Sequence, residues 1–259
     1  MILACNIGNT RIDFGVFQEG ELIRDVFSIP TIPHETSLAF AVRLKQALAF
    51  SLKECVPEDA VLSSVVPSLS GVASDALTLL CQKKPILIAA GVKTGLRLAI
   101  DDPGSVAADL VAMAVAVKEE YALPAVIVSF GTATTITLVD ETGAFRGGAI
   151  LPGIEISEEA LIHHAALLYH VDLTLPQSAI ATSTAGCVKS GVLYGAAGAV
   201  DGIIRRFEKE STLPLSTVIV TGRLCDAVFD TLEHRGVKDK KLLLKGLCYL
   251  YQKNRKINA

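Results

Sequence analysis

The chain lacks several features that would place it at a membrane, on a nucleic acid or outside the cell. No apolar run in its 259 residues approaches the length of about 20 that a membrane-spanning helix needs. Its Lys and Arg residues are scattered and its formal net charge is −3, so no nucleic-acid-binding surface is expected. Its six cysteines are far apart without a C-x-x-C pair, which favours buried reduced thiols over disulfides or metal ligands. These absences predict a cytoplasmic protein with no membrane partner and no nucleic-acid partner.

The residues that are present predict an α/β fold. Hydrophobic residues make up 51% of the chain and charged residues 20%, so disorder is not expected. The apolar start has no basic n-region and is interpreted as a first strand, not as a signal peptide. Strand-like segments then alternate with helical ones, which is typical of a sheet with helices on its faces. The expected strands are 2–5, 11–18, 22–28 after a tight turn at Glu19-Gly20, 60–66, 85–89, 126–130, 134–140, 144–151 and 217–221, and the expected helices are 35–55, 69–82, 105–121 with Ser105 as N-cap, 155–168 and 185–210.

Two similar glycine turns indicate a duplicated lobe. Cys5-Asn6-Ile7-Gly8-Asn9-Thr10 and Val128-Ser129-Phe130-Gly131-Thr132-Ala133 both end an apolar strand and lead into another strand. Such turns offer backbone N–H groups and a hydroxyl to an anion, and two facing turns could hold a polyphosphate. Two ordinary hairpins are the alternative. We expect an N-terminal lobe at 1–104 and a C-terminal lobe at 105–259, with a ligand cleft between them.

Carboxylates are scarce where phosphoryl transfer would need them. The position two residues before each glycine is neutral, Asn6 in one turn and Ser129 in the other. Asp109 is the best remaining acid. Its position is that of a helix-start carboxylate, which is the interpretation favoured by position alone, or of a general base.

Two other patterns are a row of glycines, whose interpretation stays open, and a set of histidines that predicts no site. Gly191, Gly195, Gly198 and Gly202 recur at helical spacing, which predicts close helix contact in a packed interior or in a dimer interface. The five histidines show no metal-ligand spacing, so no zinc site is expected.

An ordered series of motifs extends along the chain. They are Asn6-Ile7-Gly8-Asn9-Thr10, Ser64-Val65-Val66-Pro67, Ala107-Ala108-Asp109-Leu110, Ser129-Phe130-Gly131-Thr132-Ala133-Thr134, Gly147-Gly148-Ala149-Ile150-Leu151-Pro152-Gly153-Ile154, and then Ser183-Thr184, Ser190-Gly191 and Tyr194-Gly195. In this order they resemble the type III pantothenate kinases of the actin-like kinase superfamily, from Met1 to about Leu250.

The resemblance implies an actin-like (ribonuclease H-like) fold and the ATP-dependent phosphorylation of pantothenate, the first step toward coenzyme A. It also implies Mg²⁺, a monovalent cation (K⁺ or NH₄⁺) and a homodimer that completes its sites across the interface. Carried over by position, it assigns ATP to Asn6, Gly8, Asn9, Thr10, Asp13 and Thr132, pantothenate to Ala107, Ala108, Leu110 and Thr184, the general base to Asp109, and the monovalent-cation position to Ser129.

The chain departs from the family pattern where charge or close approach is expected. Asn6 and Ser129 replace aspartates, Leu110 replaces an arginine, and Arg223 replaces the second glycine of a T-G-G loop near the nucleotide. Because lost electrostatic groups slow catalysis, we expect a homomer of low activity. The alternatives are a non-catalytic or half-catalytic subunit that pairs with an intact paralogue, and a ligand-binding regulatory module. Two further departures are Ala107 for a glycine and Ile100 for a tyrosine.

Overall fold

The structure is a computed structural model that describes residues 1–23, 26–52, 57–211, 214–234 and 236–255. Their contacts divide the chain into two compact units. Unit 1 comprises Met1–Leu96, Asp101–Glu119 and the residues from Lys241 onward, and unit 2 comprises Arg97–Ile100 and Glu120–Lys240. The sequence-based boundary between residues 104 and 105 would place 105–119 and the C-terminal segment in the second lobe, whereas by their contacts they belong to unit 1.

Strands and helices alternate along the chain in the order expected of an α/β protein. The strands are β1 (Ile2–Ile7), β2 (Arg11–Gln18), β3 (Glu21–Leu22), β4 (Phe27–Pro30), β5 (Asp59–Ser64), β6 (Ile86–Leu87), β7 (Arg97–Leu98), β8 (Ala125–Phe130), β9 (Ala133–Val139), β10 (Ala144–Pro152), β11 (Thr217–Thr221) and β12 (Val237–Lys238). The helices are α1 (Ser37–Leu52), α2 (Pro67–Cys81), α3 (Ala108–Glu120), α4 (Ile154–His164), α5 (Thr184–Glu210), α6 (Cys225–Val228) and α7 (Leu242–Arg255).

Unit 1 is built on a mixed sheet of order β3-β2-β1-β5-β6, with β4 also beside β2. Strands β1 and β2 are antiparallel, and β5 runs parallel to β1 on its other side. Alternation along β1 buries Cys5 and Ile7 on the face covered by α1 and α2. The predicted tight turn at Glu19-Gly20 is confirmed, since both residues have positive φ (53° and 92°), as a two-residue hairpin turn requires.

Unit 2 is built on a second sheet of order β12-β11-β8-β9-β10-β7. Its central strand β8 is antiparallel to β9 and parallel to β11. One face of β8 presents Val126, Val128 and Phe130 to a core that includes Ile154 of α4 and Leu193 of α5. The same arrangement of an antiparallel pair beside a parallel strand therefore occurs in both units.

The helix expected to begin at Ser105 begins later. Residues Pro103–Ser105 form a short 3-10 turn in which the Asp102 carboxylate accepts the Gly104 N–H at 3.1 Å. Val106 is extended, with φ −69° and ψ 125°, so the chain leaves helical geometry before α3 starts. The prediction of Ser105 as N-cap is therefore wrong, although Asp109 does lie in the first turn of α3 as expected.

Several other expected boundaries shift. The segment expected as one strand at 22–28 contains two short strands, β3 and β4, and residues 24 and 25 lie outside the described residues. The helix expected at 35–55 is α1, and residues 53–55 of that prediction also lie outside them. Helix α4 ends at His164, before the expected position 168.

Helix α5 has one buried side and one exposed side. Val188 and Leu193 pack in the core of unit 2, whereas Gly191, Gly195 and Gly198 are exposed, with no described atom within 4 Å of where a Cβ would stand. Interior packing, one of the two interpretations of the glycine row, is therefore wrong for these three residues. By length and composition alone α5 is also the one helix in the described part of the chain that could span a membrane, a candidate that the sequence-based expectation did not include.

Candidate functional site

A row of polar side chains crosses the sheet of unit 1 near the carboxyl end of β1. The register places Asn6 of β1 beside Asp13 of β2 and Ser63 of β5, and Asp13 beside Ser28 of β4. The neighbouring Ile7 points into the core under α1 and α2. Successive side chains of a strand alternate between faces, so the polar row lies on the opposite face of the sheet.

The side chain of Asn6 is held by Ser63. Both are buried, and the Ser63 hydroxyl donates to Asn6 Oδ1 at 2.6 Å. An amide oxygen has two lone pairs, so Asn6 can accept one further bond, but it carries no charge. The motifs of the sequence do not include Ser63. The signal that could have found it is a polar residue inside the otherwise buried strand β5.

The turn between β1 and β2 is fixed at both ends. The Gly8 N–H donates to Arg11 O at 2.8 Å, and the Thr31 hydroxyl donates to Gly8 O at 2.7 Å. The Thr31 N–H donates to Thr10 O at 3.1 Å. Asn9 and Thr10 are exposed. The turn is therefore preorganised at a place that a ligand can reach.

Asp109 is a half-buried carboxylate in the first turn of α3. Its Oδ1 accepts the Leu110 N–H at 2.8 Å. Burial raises the pKa of the Asp109 carboxyl above its ordinary value, and the hydrogen bond from Leu110 opposes that rise. A carboxylate with a raised pKa is a better proton acceptor near neutral pH than an ordinary aspartate. The environment of Asp109 therefore suits a general base as well as a helix start.

Helix α7 connects the sheet of unit 1 with the helix that carries Asp109. Leu244 of α7 contacts β2 at Gly15, two residues along the strand from the polar row. Gly246 of α7 packs directly against the backbone of Ala112, one helical turn after Asp109. The polar row and Asp109 are therefore held by the same helix.

In unit 2, the turn between β8 and β9 packs against Gly153, the residue that follows β10. The Gly131 N–H donates to Ala133 O at 3.1 Å within the turn. A Cβ added to Gly153 would lie 2.2 Å from Thr132 O and 2.6 Å from Gly131 O. Only glycine permits this approach, which brings the N-terminus of α4 to the turn.

The 222–224 loop packs on the strand that leads into the same turn. Gly222 has φ 92°, and a Cβ there would lie 2.5 Å from Phe130 O, to which the Leu224 N–H donates at 3.1 Å. The guanidinium of Arg223 forms an ion pair with Glu155 in the first turn of α4. Both side chains are more than a third exposed (35% and 40%), so the pair contributes little to stability. Glu155, which sequence reasoning missed, directs Arg223 toward α4.

Ser129 lies in a row of hydroxyl residues in the second sheet. The register places it beside Thr135 of β9 and Thr221 of β11. The row is the counterpart of the polar row of unit 1, with Ser129 in the place of Asn6. Because all three side chains are neutral, neither Thr135 nor Thr221 replaces the aspartate that the resemblance leads one to expect at Ser129.

Thr184 and Ile100 lie elsewhere in unit 2. Thr184 is the exposed first residue of α5, behind the N-cap Ser183, whose hydroxyl accepts the Gly186 N–H at 3.1 Å. Ile100 is half-buried beside Gly147, where its Cγ2 would be 3.4 Å from an added Cβ.

The structure thus groups the expected site residues within each unit. Unit 1 joins Asn6 and Asp13 in one row beside the 8–10 turn, and holds Asp109 through α7. Residues Ala107, Ala108 and Leu110 flank Asp109 and are half-buried. Unit 2 joins Thr132 to the N-terminus of α4. The roles that the resemblance implies for all of these residues stay predictions.

The cysteines and histidines form no metal centre in the described part of the chain. Cys5, Cys81, Cys225 and Cys248 are buried free thiols and Cys187 is an exposed one, whereas Cys55 lies outside the described residues. His163 and His164 are exposed. Among the described residues no group of three or more His, Cys, Asp and Glu side chains is placed to hold a metal ion.

Comparison with known proteins identifies the relatives of this chain. The model of the type III pantothenate kinase family matches residues 2–206. A type III pantothenate kinase of Listeria innocua serovar 6a is 37% identical over an alignment of 259 positions, which covers 98% of this chain and 98% of that one.

Solved structures resemble the fold. A Campylobacter jejuni protein described as a member of the Baf family of transcriptional activators has a TM-score of 0.61 at 19% identity, covering 98% of this chain and 99% of that one. A ROK hexokinase of Thermus thermophilus has a TM-score of 0.52 at 15% identity, covering 96% and 97%. At these identities the likeness concerns the fold, which is the actin-like α/β fold expected from the sequence.

Proposed function

The chain belongs to the type III pantothenate kinase family, and from that premise we propose that it transfers the γ-phosphoryl group of ATP to the hydroxyl of pantothenate. The observation that carries the proposal is Asp109, a half-buried carboxylate in the first turn of α3 whose pKa is raised by burial. An aspartate on the open surface would not have its pKa raised by burial. The product class is a phosphate monoester of pantothenate, in coenzyme A biosynthesis.

Asp109 is the general base in this proposal. The pantothenate hydroxyl gives its proton to the Asp109 carboxylate while its oxygen forms a bond to the γ-phosphorus, and the bond from that phosphorus to the β,γ-bridging oxygen of ADP breaks. Ala107, Ala108 and Leu110 surround the base on α3 and the loop before it, and they form part of the pantothenate site. Thr184 is the further residue that the resemblance assigns to pantothenate.

The phosphates of ATP are proposed to meet preorganised turns. In unit 1 the exposed turn residues Asn9 and Thr10 are proposed to meet the phosphates, in a turn whose backbone is already fixed by hydrogen bonds with Thr31 and Arg11. In unit 2 the corresponding residue is Thr132, whose backbone is held against Gly153. Preorganised donors of this kind stabilise transferring phosphoryl groups without a cost of reorganisation during the reaction.

The residues present fit the Mg²⁺ that the family implies. Mg²⁺ is commonly held by one or two carboxylates together with substrate phosphates, and it neutralises charge that develops on the transferring group. The polar row of unit 1 offers the Asp13 carboxylate and one lone pair of Asn6 Oδ1. For the monovalent cation, K⁺ or NH₄⁺, the row of Ser129, Thr135 and Thr221 offers neutral oxygen ligands only.

The proposed activity of the homomer is low. Asn6, Ser129 and Leu110 are neutral where charged groups are expected, and removing one preorganised electrostatic group typically costs about 10²–10³ in kcat. The same substitutions support the two alternative functions, a half-catalytic subunit completed by an intact paralogue and a ligand-binding regulatory module.

A cytoplasmic homodimer is the proposed assembly. Gly191, Gly195 and Gly198 of α5 are exposed, and the same unit exposes large apolar side chains, among them Leu167 (90%) and Ile180 (86%). An assembly that covers these residues would remove their apolar surface from water. A heteromer with an intact paralogue would cover the same residues.

The test is turnover by the purified chain alone with ATP, pantothenate, Mg²⁺ and K⁺ or NH₄⁺. We expect phosphopantothenate to form slowly, and to disappear in Asp109→Asn. Product that forms only after an intact family member is added would favour the half-catalytic subunit. Nucleotide-dependent thermal stabilisation of a folded chain without product under any of these conditions would favour the regulatory module.

A further inference from the structure

The register of the first hairpin places a carboxylate directly across from the neutral residue at position 6. Asn6 of β1 and Asp13 of β2 are paired in the antiparallel ladder. Side chains of directly opposed residues share one face of the sheet, with Cβ atoms about 4.5–5.5 Å apart. A carboxylate on β2 can therefore reach the space that a carboxylate on β1 would reach, since the distance is within the length of one side chain.

The surroundings of the pair fix which of the two can act as the charged ligand. Asn6 is buried and its oxygen is already engaged by the Ser63 hydroxyl at 2.6 Å. Asp13 is half-buried, on the face opposite the apolar core and next to the preorganised 8–10 turn. A cation that binds with phosphate ligands at this end of the sheet would contact Asp13, which is the acidic residue of the polar row.

We propose that Asp13 supplies, from β2, the carboxylate that holds the divalent cation accompanying ATP, in place of an aspartate at position 6. In this arrangement the carboxylate stands directly across the ladder from position 6, in the row whose Asn6 is anchored by Ser63. This inference rests on the proposed function, because it assumes that a metal–nucleotide complex binds at the 8–10 turn.

The test measures ATP affinity by calorimetry on the full chain, once with Mg²⁺ and once with EDTA, so it does not depend on turnover. For the unaltered chain we expect Mg²⁺ to tighten ATP binding by about tenfold or more. Asp13→Asn should lose that gain while its affinity for metal-free ATP stays equal or rises, because a negative charge near the phosphates has gone. Asp75→Asn, the same change at an exposed position of α2, is the control and should behave as the unaltered chain.

The double variant Asn6→Asp with Asp13→Asn exchanges the two groups across the ladder. It should recover most of the Mg²⁺ gain that Asp13→Asn loses, and this recovery also shows that the loss did not come from misfolding. Binding of Mn²⁺ to the chain–ATP complex, followed by electron paramagnetic resonance, should rank the variants in the same order.

Two outcomes would overturn the inference while leaving the proposed function standing. One is an undiminished Mg²⁺ gain in Asp13→Asn, and the other is no recovery in the exchanged variant. No measurable ATP binding by the unaltered, folded chain, with or without Mg²⁺, would instead count against the proposed function itself.

Discussion

The Asp109→Asn variant distinguishes two roles of this residue, a buried general base and a stabilising helix-start anion. The two roles predict opposite signs for the change in the free energy of unfolding at pH 7. The carboxyl is half-buried and accepts the Leu110 N–H at 2.8 Å. Its pKa in the folded chain is raised, chiefly by burial. Folding therefore favours the protonated carboxyl. The stability that this gives the folded chain is present at pH below the unfolded pKa and is lost as the pH rises through the folded pKa.

Asn cannot ionise, so Asp109→Asn should be at least as stable as the unaltered chain at pH 7, and the advantage should vanish below about pH 3, where Asp is neutral in both states. The same variant should lose about 10²–10⁴ in kcat, the usual contribution of a general base. Urea denaturation at several pH values and a phosphopantothenate assay measure the two effects. Asp101→Asn, exposed in the segment before α3, is the control.

The reasoning is refuted by either of two results. A loss of stability at pH 7 would mean that Asp109 acts as a favourable helix-start anion, because its charge would then stabilise the fold. A kcat within a fewfold of the unaltered chain, in folded protein, would remove Asp109 as the base.

Three further predictions concern packing and the nucleotide loops. Gly153→Ala should cost about 1–3 kcal/mol or more, because its Cβ would overlap the carbonyl of Thr132, whereas Gly71→Ala, at a helix position with no described atom within 4 Å, should be neutral or stabilising in the same urea titration. Tyr251→Phe should cost about 1–2 kcal/mol in chemical denaturation, because it removes the 2.8 Å hydrogen bond from the buried phenol, whose pKa burial raises to about 12, to Asp59. Arg223→Gly should tighten ATP binding in calorimetry, because it restores the glycine where the family pattern expects close approach to the nucleotide. It should change the free energy of unfolding by less than about 1 kcal/mol, because the ion pair with Glu155 is largely exposed. Weaker binding would mean that Arg223 itself contacts the nucleotide.

The local elements with strong signals were predictable from the sequence. Alternation defined Arg11–Gln18, and a Glu-Gly turn defined the hairpin that follows it. The start of α3 was not predictable from a capping residue, because Pro103 and Asp102 form a separate 3-10 turn that competes with Ser105 as the helix start. Local polar side chains can satisfy backbone donors in more than one way, and composition does not decide between them.

The candidate site was predictable as a set of turns, but not as a network of contacts. The resemblance pointed to Asn6 as a weakened position, yet the cross-strand partner at Asp13 follows from the register, which a sequence alone does not state. Ser63 and Glu155 were missed for the same reason, since their partners Asn6 and Arg223 are 57 and 68 residues away.

The central claim is that this chain alone is a slow pantothenate kinase, and the most direct measurement is single-chain turnover monitored by formation of phosphopantothenate. With ATP, Mg²⁺ and K⁺, the account predicts a measurable rate that falls to background in Asp109→Asn and is strongly lowered in Asp13→Asn. A folded chain that binds ATP and forms no phosphopantothenate, or a rate that is unchanged in Asp109→Asn, would contradict it.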